Sequence, residues 1–360
     1  MRFLFVLSNL RGGGAERAVL NLATGLAERG HEAHVVILEH VVDYSVPRSI
    51  TLHALTKPGN LMPGGWMGKR LLARSLRRLH RQLSADRAFD LIISTLPFAD
   101  EVTHAAGLPR VCYRIANNLS AEIDAVHGPF KAWRRLRRYR RLYDGQRLIA
   151  VSRGVADDLQ GAIGLRRAIV ETIYNPFDFN AIQRDAKTLP TDLPSEPYFV
   201  HAGRFQPQKR HDLLLDAFKA SALPHRLVLL VERSSALEAM IAARGLSRRV
   251  AIAGFRENPF PWYANAVACV LSSDREGMPN VLIESLICGT PVVSTDCPSG
   301  PREILTGELN RWLVPCGDVS ALAAKMREIV EGPPKVDPAL LEQFSKERAL
   351  RAIEALARCG

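Results

Sequence analysis

From residue 2 the chain alternates short β-branched runs with stretches of helical periodicity, and it does so in two series. FLFVLS (3–8) leads through a glycine turn into AERAVLNLATGLAERG. There Ala15, Ala18, Val19, Leu22, Leu26 and Ala27 recur at helical spacing and Gly30 closes the helix. AHVVIL (33–38), DLIIS (90–94), RVCYRI (110–115) and RLIAVS (147–152) follow as strands. A polar, proline-bearing stretch over 176–197 precedes the second series: YFVHAGRF, the helical KRHDLLLDAFKAS, then LVLLV, RVAIAGF, ACVLSS and PVVSTD. Parallel strands need crossovers of about a dozen residues, usually helical, so this alternation specifies parallel sheets covered by helices. The expectation is an α/β chain of two doubly wound Rossmann-like domains facing across a cleft. Residues 1–175 form the N-terminal domain, 176–197 a linker and 198–338 the C-terminal domain. The amphipathic segment 339–360 is a candidate to pack back on the N-terminal domain.

With 360 residues, 47% of them hydrophobic, each domain has material for its own core. MRFLFVLSNL reads as a buried first strand, because its apolar run is short and no small-residue cleavage site follows. No run approaches the roughly 18 apolar residues of a membrane span. The six cysteines form neither a CxxC nor a Cys/His cluster, which points to a reducing compartment and no structural metal. A cytoplasmic location and no metal or cofactor are therefore expected.

The net charge of +11 is concentrated in KRLLARSLRRLHR (69–81) and KAWRRLRRYRR (131–141), both in the first domain. Arg70, Arg74, Arg77, Arg78 and Arg81 share one helical face, with Leu71, Leu72, Leu76 and Leu79 on the other. In the second helix a stripe of Trp133, Leu136, Tyr139 and Tyr143 runs among arginines. Such charge implies an anionic partner. No nucleic-acid motif accompanies it, so nucleic acid is not expected. A basic amphipathic helix suits an anionic bilayer, and Arg134, Arg135, Arg137 and Arg138 are candidates to meet the inner leaflet or an acceptor pyrophosphate.

Three glycine-bearing loops carry the chemistry. RGGGAER (11–17) follows the first strand and opens the first helix, whose free N–H groups suit an anion. A dinucleotide fingerprint would need a further glycine where Arg17 stands; Glu39 could serve as its ribose-binding acid. A dinucleotide-dependent oxidoreductase is thus an alternative, as is a non-catalytic membrane-binding protein. In AGRFQPQKRHD (202–212) a strand ends at Gly203 and the cations Arg204 and Lys209 flank a loop fit for a diphosphate. In DREGMPNVLIESL (274–286), Glu276 lies on the loop and Glu284 one turn into the helix begun by Pro279 or Asn280. Gly277 allows close backbone approach. A carboxylate at Glu284 can accept two hydroxyls, as a ribose diol presents them. Leu282, Ile283, Leu286 and Ile287 leave it little room for exposure.

Glu276 and Glu284, within EGMPNVLIE, resemble the E-x7-E donor signature of retaining GT-B glycosyltransferases of family GT4. AGRFQPQK resembles that family's diphosphate clamp. RGGGAER, IAVSRGVADDL and IYNPFD resemble its acceptor loop, last N-domain strand–helix and hinge. DCPSGPREIL is similar to a segment of members that elongate polyprenyl-diphosphate-linked or cell-envelope glycans. The resemblance runs nearly the whole chain in order. It implies a nucleotide-diphospho-sugar donor as co-substrate, with UDP-N-acetylhexosamine favoured. Arg204 and Lys209 would neutralise its diphosphate, Glu276 would hold sugar hydroxyls and Glu284 the ribose. Gly203 belongs to the diphosphate loop, and backbone around Gly277, Met278 and Asn280 would contact sugar or phosphate. It also implies transfer with retention, no metal, and a lipid-linked or envelope glycan acceptor met by Gly13, Gly14, Arg17, Arg114 and Asn117. A soluble acceptor is the alternative within the fold. The enzyme would work peripherally on the membrane's inner face. Two departures stand out. Thr95 occupies the place after the fourth strand where many members carry histidine, with His104 the nearest downstream. Glu232–Ser235 replaces a Gly-x-Gly turn after LVLLV.

Overall fold

The computed structural model describes residues 1–60 and 64–359. The chain divides into two compact units, Met1–Pro176 joined by the segment from Lys346 onward, and Phe177–Ser345. Among the described residues the first unit holds seven parallel strands: β1 (Arg2–Leu7), β2 (Glu32–Ile37), β3 (Thr51–Ala54), β4 (Leu91–Thr95), β5 (Val111–Ile115), β6 (Arg147–Ala150) and β7 (Ile169–Thr172). Their order in the sheet is β3-β2-β1-β4-β5-β6-β7.

Strand β1 shows why the sheet is covered on both sides. Successive side chains of a strand point to opposite faces. Phe3, Phe5 and Leu7 therefore pack with Val19, Leu22, Ala23 and Leu26 of the Gly14–Glu28 helix. Leu4 and Val6 pack on the other face with Leu72, Ala73 and Leu76 of helix Gly65–Leu83 and Ala99, Val102 and Ala106 of helix Pro97–Ala106. Every residue of β1 is buried, and each large apolar side chain so buried contributes about 1.5–3 kcal/mol. The apolar opening is the centre of a sheet. Among the described residues no helix is long and apolar enough to cross a membrane.

The C-terminal helix Lys346–Arg358 completes the first unit. Leu350, Ile353, Leu356 and Ala357 join the cluster beneath helix Gly14–Glu28. A Cβ on Gly25 would lie 2.8 Å from Leu350 Cδ1, so the glycine permits the close crossing. Arg29 donates to Glu354 (2.7 Å) and Glu347 (2.8 Å), and Lys346 to Glu28 (2.8 Å).

The second unit holds β8 (Tyr198–Ala202), β9 (Arg226–Leu230), β10 (Val250–Ile252), β11 (Ala268–Leu271), β12 (Val292–Thr295) and β13 (Leu313–Val314), parallel in the order β10-β9-β8-β11-β12-β13. The stretch 176–197, expected as a linker, contributes to this body. Its helix Phe179–Asp185, capped by Asp178, packs on helices Phe260–Ala264 and Asn280–Ile287 through the buried Ile182. The expected terminal segment 339–360 divides instead. Its first turn, with Leu341 and Phe344 buried, belongs to the second unit, and Phe177 N–H bonds Phe344 O at 3.1 Å. Strands β3, β7 and β13 were not expected from the sequence. They are short edge strands with little apolar run to announce them.

In each sheet the chain reverses its direction of growth beside its first strand: between β1 and β4, and between β8 and β11. Loops leaving such adjacent strands diverge to opposite faces, and open parallel sheets bind ligands at the carboxyl ends there.

Candidate active site

The loops after β8, β11 and β12 meet at the second unit's reversal point, because these three strands are neighbours in the sheet. The loop after β8 runs through a 3-10 turn, Pro207–Lys209, into helix His211–Ser221. It is tied to the loop after β11 by Asp274 N–H to Gln208 O (2.9 Å), Gln208 Nε2 to Arg275 O (2.7 Å) and Ser272 Oγ to Lys209 O (2.7 Å). Arg210, in the left-handed region at φ +49°, adds ion pairs to Asp212 and Asp274. Thr295 Oγ1 donates to Ser273 O (2.6 Å), bringing in β12.

On this scaffold Lys209 Nζ donates to Glu276 Oε1 at 2.6 Å, and Ser273 Oγ donates to the same oxygen at 2.6 Å. Gly203 makes room for the lysine: a Cβ there would stand 3.2 Å from Lys209 Cε. Arg204 is exposed and has no ion pair among the described residues. The two cations read together in the sequence thus differ: Lys209 is held by a carboxylate and Arg204 faces solvent.

Helix Asn280–Ile287 opens at Pro279, whose side chain supplies no cap. Glu284 is buried one turn in. Burial, with the nearby Glu284 carboxylate, pushes the Cys288 thiol up to about 12. Gly277 and Met278 are buried, and the tight backbone approach there depends on a different glycine. Gly300 has φ +98°; a Cβ on it would overlap Pro279 Cδ and lie 3.2 Å from Gly277 O.

Sequence reasoning missed Ser273, Gln208, Arg210 and two histidines beneath the loop. His201 and His211 are buried, with ring centroids 4.9 Å apart. His201 Nδ1 donates to Val270 O (2.8 Å). Burial, then the Lys209 charge, pulls His211 down to about 4 against the opposing pull of Asp212, so both rings are neutral at pH 7. Single serines and histidines after strands carry no signal of their own; strand adjacency gives them their place.

In the first unit the glycine loop opens the first helix. Gly13 is the N-cap of helix Gly14–Glu28, and a Cβ on it would overlap the Glu16 carboxylate folded over that first turn. A carboxylate at the positive end of the helix is favourable. Glu39 accepts from Asn9 (3.0 Å). Arg114, at the end of β5, is buried beside Glu16, with its second terminal nitrogen bonded to Asn175. Burial draws its guanidinium down to about 10, partly countered by Glu16. Arg17 is half-buried, and Gly14 is exposed. Asn117 donates to Glu122 (2.6 Å), which also accepts from Tyr139 (2.9 Å). Thr95 is buried at the end of β4, whereas His104 is exposed on the last turn of helix Pro97–Ala106.

The two basic helices keep only part of the expected division. Leu72 and Leu76 are buried, but Leu71 is 53% exposed among the arginines. Tyr139 and Tyr143 are buried, but Trp133 is 52% exposed. Arg138 pairs with Glu101 and Arg135 donates to Glu122 O (3.3 Å), while Arg134 and Arg137 lie over the rings of Phe130 and Trp133. Among the described residues no group of three His, Cys, Asp or Glu side chains could hold a metal ion.

Residues 12–181 match the family model for Glycosyltransferase Family 4, and residues 196–332 match that for Glycosyl transferases group 1. The chain belongs to glycosyltransferase family 4. This glycosyltransferase is 26% identical over 343 residues to the N-acetylgalactosamine-N,N'-diacetylbacillosaminyl-diphospho-undecaprenol 4-alpha-N-acetylgalactosaminyltransferase of Campylobacter jejuni, covering 91% of this chain and 89% of that one. It is 28% identical over 334 residues to the lipopolysaccharide core biosynthesis glycosyltransferase LpsE of Rhizobium meliloti, covering 89% and 86%. The structure of Anabaena HepE with UDP and glucose superposes over the full length of both chains with a TM-score of 0.75 at 19% identity. The fold is GT-B, with two Rossmann-like domains.

Proposed function

We propose that this glycosyltransferase moves an N-acetylhexosamine from its UDP-sugar to a lipid-linked or cell-envelope glycan at the membrane surface, with retention at the anomeric carbon. The observation that carries the reading is the Lys209–Glu276 contact at the sheet's reversal point, where a cation and a carboxylate stand ready for a diphosphate and a sugar. The bond from the anomeric carbon to the diphosphate breaks with its electron pair left on the diphosphate, a bond to the acceptor hydroxyl oxygen forms, and the hydroxyl proton passes to the departing diphosphate. Arg204 and Lys209 stabilise the charge that grows on the departing diphosphate, the electrostatic role a metal fills elsewhere. Glu276 accepts hydroxyls of the donor sugar. Glu284 takes the ribose diol, and backbone N–H groups near Gly277, Met278 and Asn280 meet sugar and phosphate. In the first unit Gly13, Gly14, Arg17, Arg114 and Asn117 form the acceptor side. The names of the Campylobacter and Rhizobium relatives support a diphospho-undecaprenol-linked or lipopolysaccharide acceptor, and the first supports an N-acetylhexosamine. The UDP in HepE supports the base.

Thermal unfolding with UDP, GDP, ADP and NAD, wild type beside Lys209→Ala, tests the donor site. A ligand at a hundred times its dissociation constant stabilises by roughly 2.7 kcal/mol. A shift with UDP that the variant loses supports the reading; a shift only with NAD, or with none, overturns it.

A further inference from the structure

Among the described residues nine large hydrophobic side chains are exposed, and five of them lie on the two basic helices: Trp66, Met67, Leu71, Phe130 and Trp133. Scattered exposed apolar residues need no explanation, but a group rimmed by charge does. The rings are interleaved with arginine. Arg70 lies 3.8 Å from the Trp66 ring centre, Arg134 and Arg137 lie over Phe130 and Trp133, and those two rings stack at 6.0 Å.

The helices that carry the two groups are joined by one carboxylate. Helix Pro97–Ala106 packs against both basic helices. Its Glu101 accepts from Lys69 of Gly65–Leu83 at 2.5 Å and from Arg138 of Pro129–Tyr143. The pin therefore fixes the spacing of the two helices that carry the apolar groups. Of the two cations in the pin, Lys69 is partly buried and Arg138 is exposed. Arg70, Arg74, Arg134 and Arg137 remain exposed around the rings.

We propose that Trp66, Met67, Leu71, Phe130 and Trp133 enter an anionic bilayer interface together, with Arg70, Arg74, Arg134 and Arg137 among the headgroups and Glu101 setting the spacing of the two helices. The inference rests on the membrane-surface reading above and deepens it. An interface rewards both parts of this face: aromatic rings sit at headgroup depth, aliphatic side chains below them, and cations meet anionic lipid. A nucleic acid would satisfy the arginines and leave Met67 and Leu71 without a partner. A second copy would bring like charge against like charge.

The chain's four tryptophans make the test direct, because Trp262 and Trp312 are buried and only Trp66 and Trp133 are exposed. Full-length protein is titrated with vesicles of phosphatidylglycerol and phosphatidylcholine in equal parts, and with phosphatidylcholine alone. The expected result is co-sedimentation and a blue-shifted tryptophan emission with the anionic vesicles only. The Met67→Ser/Leu71→Ser/Phe130→Ser variant, which retains both tryptophans and every arginine, should lose about tenfold or more of that affinity. Each protein is also melted with UDP. A variant that loses vesicle binding and keeps its UDP shift supports the surface. Wild type that shifts with UDP but ignores anionic vesicles overturns the surface and leaves the donor site standing. Binding without a blue shift, undiminished binding by the variant, or tighter binding to duplex DNA than to vesicles overturns it too.

Discussion

Lys209 Nζ stands 2.6 Å from Glu276 Oε1, joining the loops after two adjacent strands, β8 and β11. Both side chains are largely buried, 19% and 9% exposed, so solvent screens the pair weakly. A hydrogen bond between charged groups contributes about 1.5–3 kcal/mol. Lys209→Met and Glu276→Gln should each destabilise the ligand-free protein, and the double variant should cost less than their sum. Urea unfolding of the four proteins in a double-mutant cycle measures the coupling. Additive effects would mean that the contact does not hold the two loops together.

Gly300 is the second support of this site. Alanine there meets strain at φ +98° and a collision with Pro279, whereas Gly289, at φ +83°, has nothing within 4 Å of its Cβ position. Gly289→Ala should therefore show the cost of backbone strain alone, about 1–3 kcal/mol. Gly300→Ala should cost more and also lose stabilisation by UDP, because the 277–279 turn must move. Melting both variants with and without UDP compares them. Equal behaviour would remove the close approach from the proposed donor site.

The crossing of the first and last helices makes a stability prediction far from the chemistry. Gly25→Val drives a side chain into Leu350, and overpacking of this kind costs about 1–3 kcal/mol. Leu350→Ala opens space opposite. In the double variant the two effects should partly cancel, which urea midpoints will show.

His211 predicts the response of the second unit to acid. Its folded pKa of about 4 lies below the ordinary 6.5, chiefly through burial. Above pH 6.5 the ring is neutral folded or unfolded and contributes nothing to pH dependence. As the pH falls from 6.5 toward 4, the unfolded chain takes up a proton that the folded chain refuses, so stability declines. One pKa unit corresponds to about 1.4 kcal/mol, giving a loss of about 2 kcal/mol by about pH 5. His201, also pulled well down by burial, acts in the same direction. His211→Gln should flatten the dependence of the urea midpoint between pH 7 and pH 5. An unchanged slope would place the proton uptake elsewhere.

Much of this molecule was legible before folding. The strands with apolar runs, the glycine loops at their ends and the order of the family motifs lay where the structure has them. Edge strands β3, β7 and β13 were not legible, because an exposed edge needs no hydrophobic run. Nor was the division of the arginines. Helical spacing puts Arg134, Arg135, Arg137 and Arg138 among one another, and partners on other elements distinguish them: Arg138 pairs with Glu101 and Arg135 bonds Glu122 O.

The sequence alone determined two α/β layers of parallel strands and the loops that carry glycine, cation and carboxylate. Those features follow from local periodicity, since strand and helix bury opposite patterns of the same residues. Tertiary structure decided which distant groups touch. Lys209 meets Glu276 and Ser273 because β8 and β11 are neighbours, and Glu101 joins two basic helices because its own helix lies between them. The C-terminal helix belongs to the first unit because Gly25 leaves room for Leu350. No local period encodes strand order or helix neighbours. They emerge when the whole core packs, and the side-chain partners of the candidate site come with them.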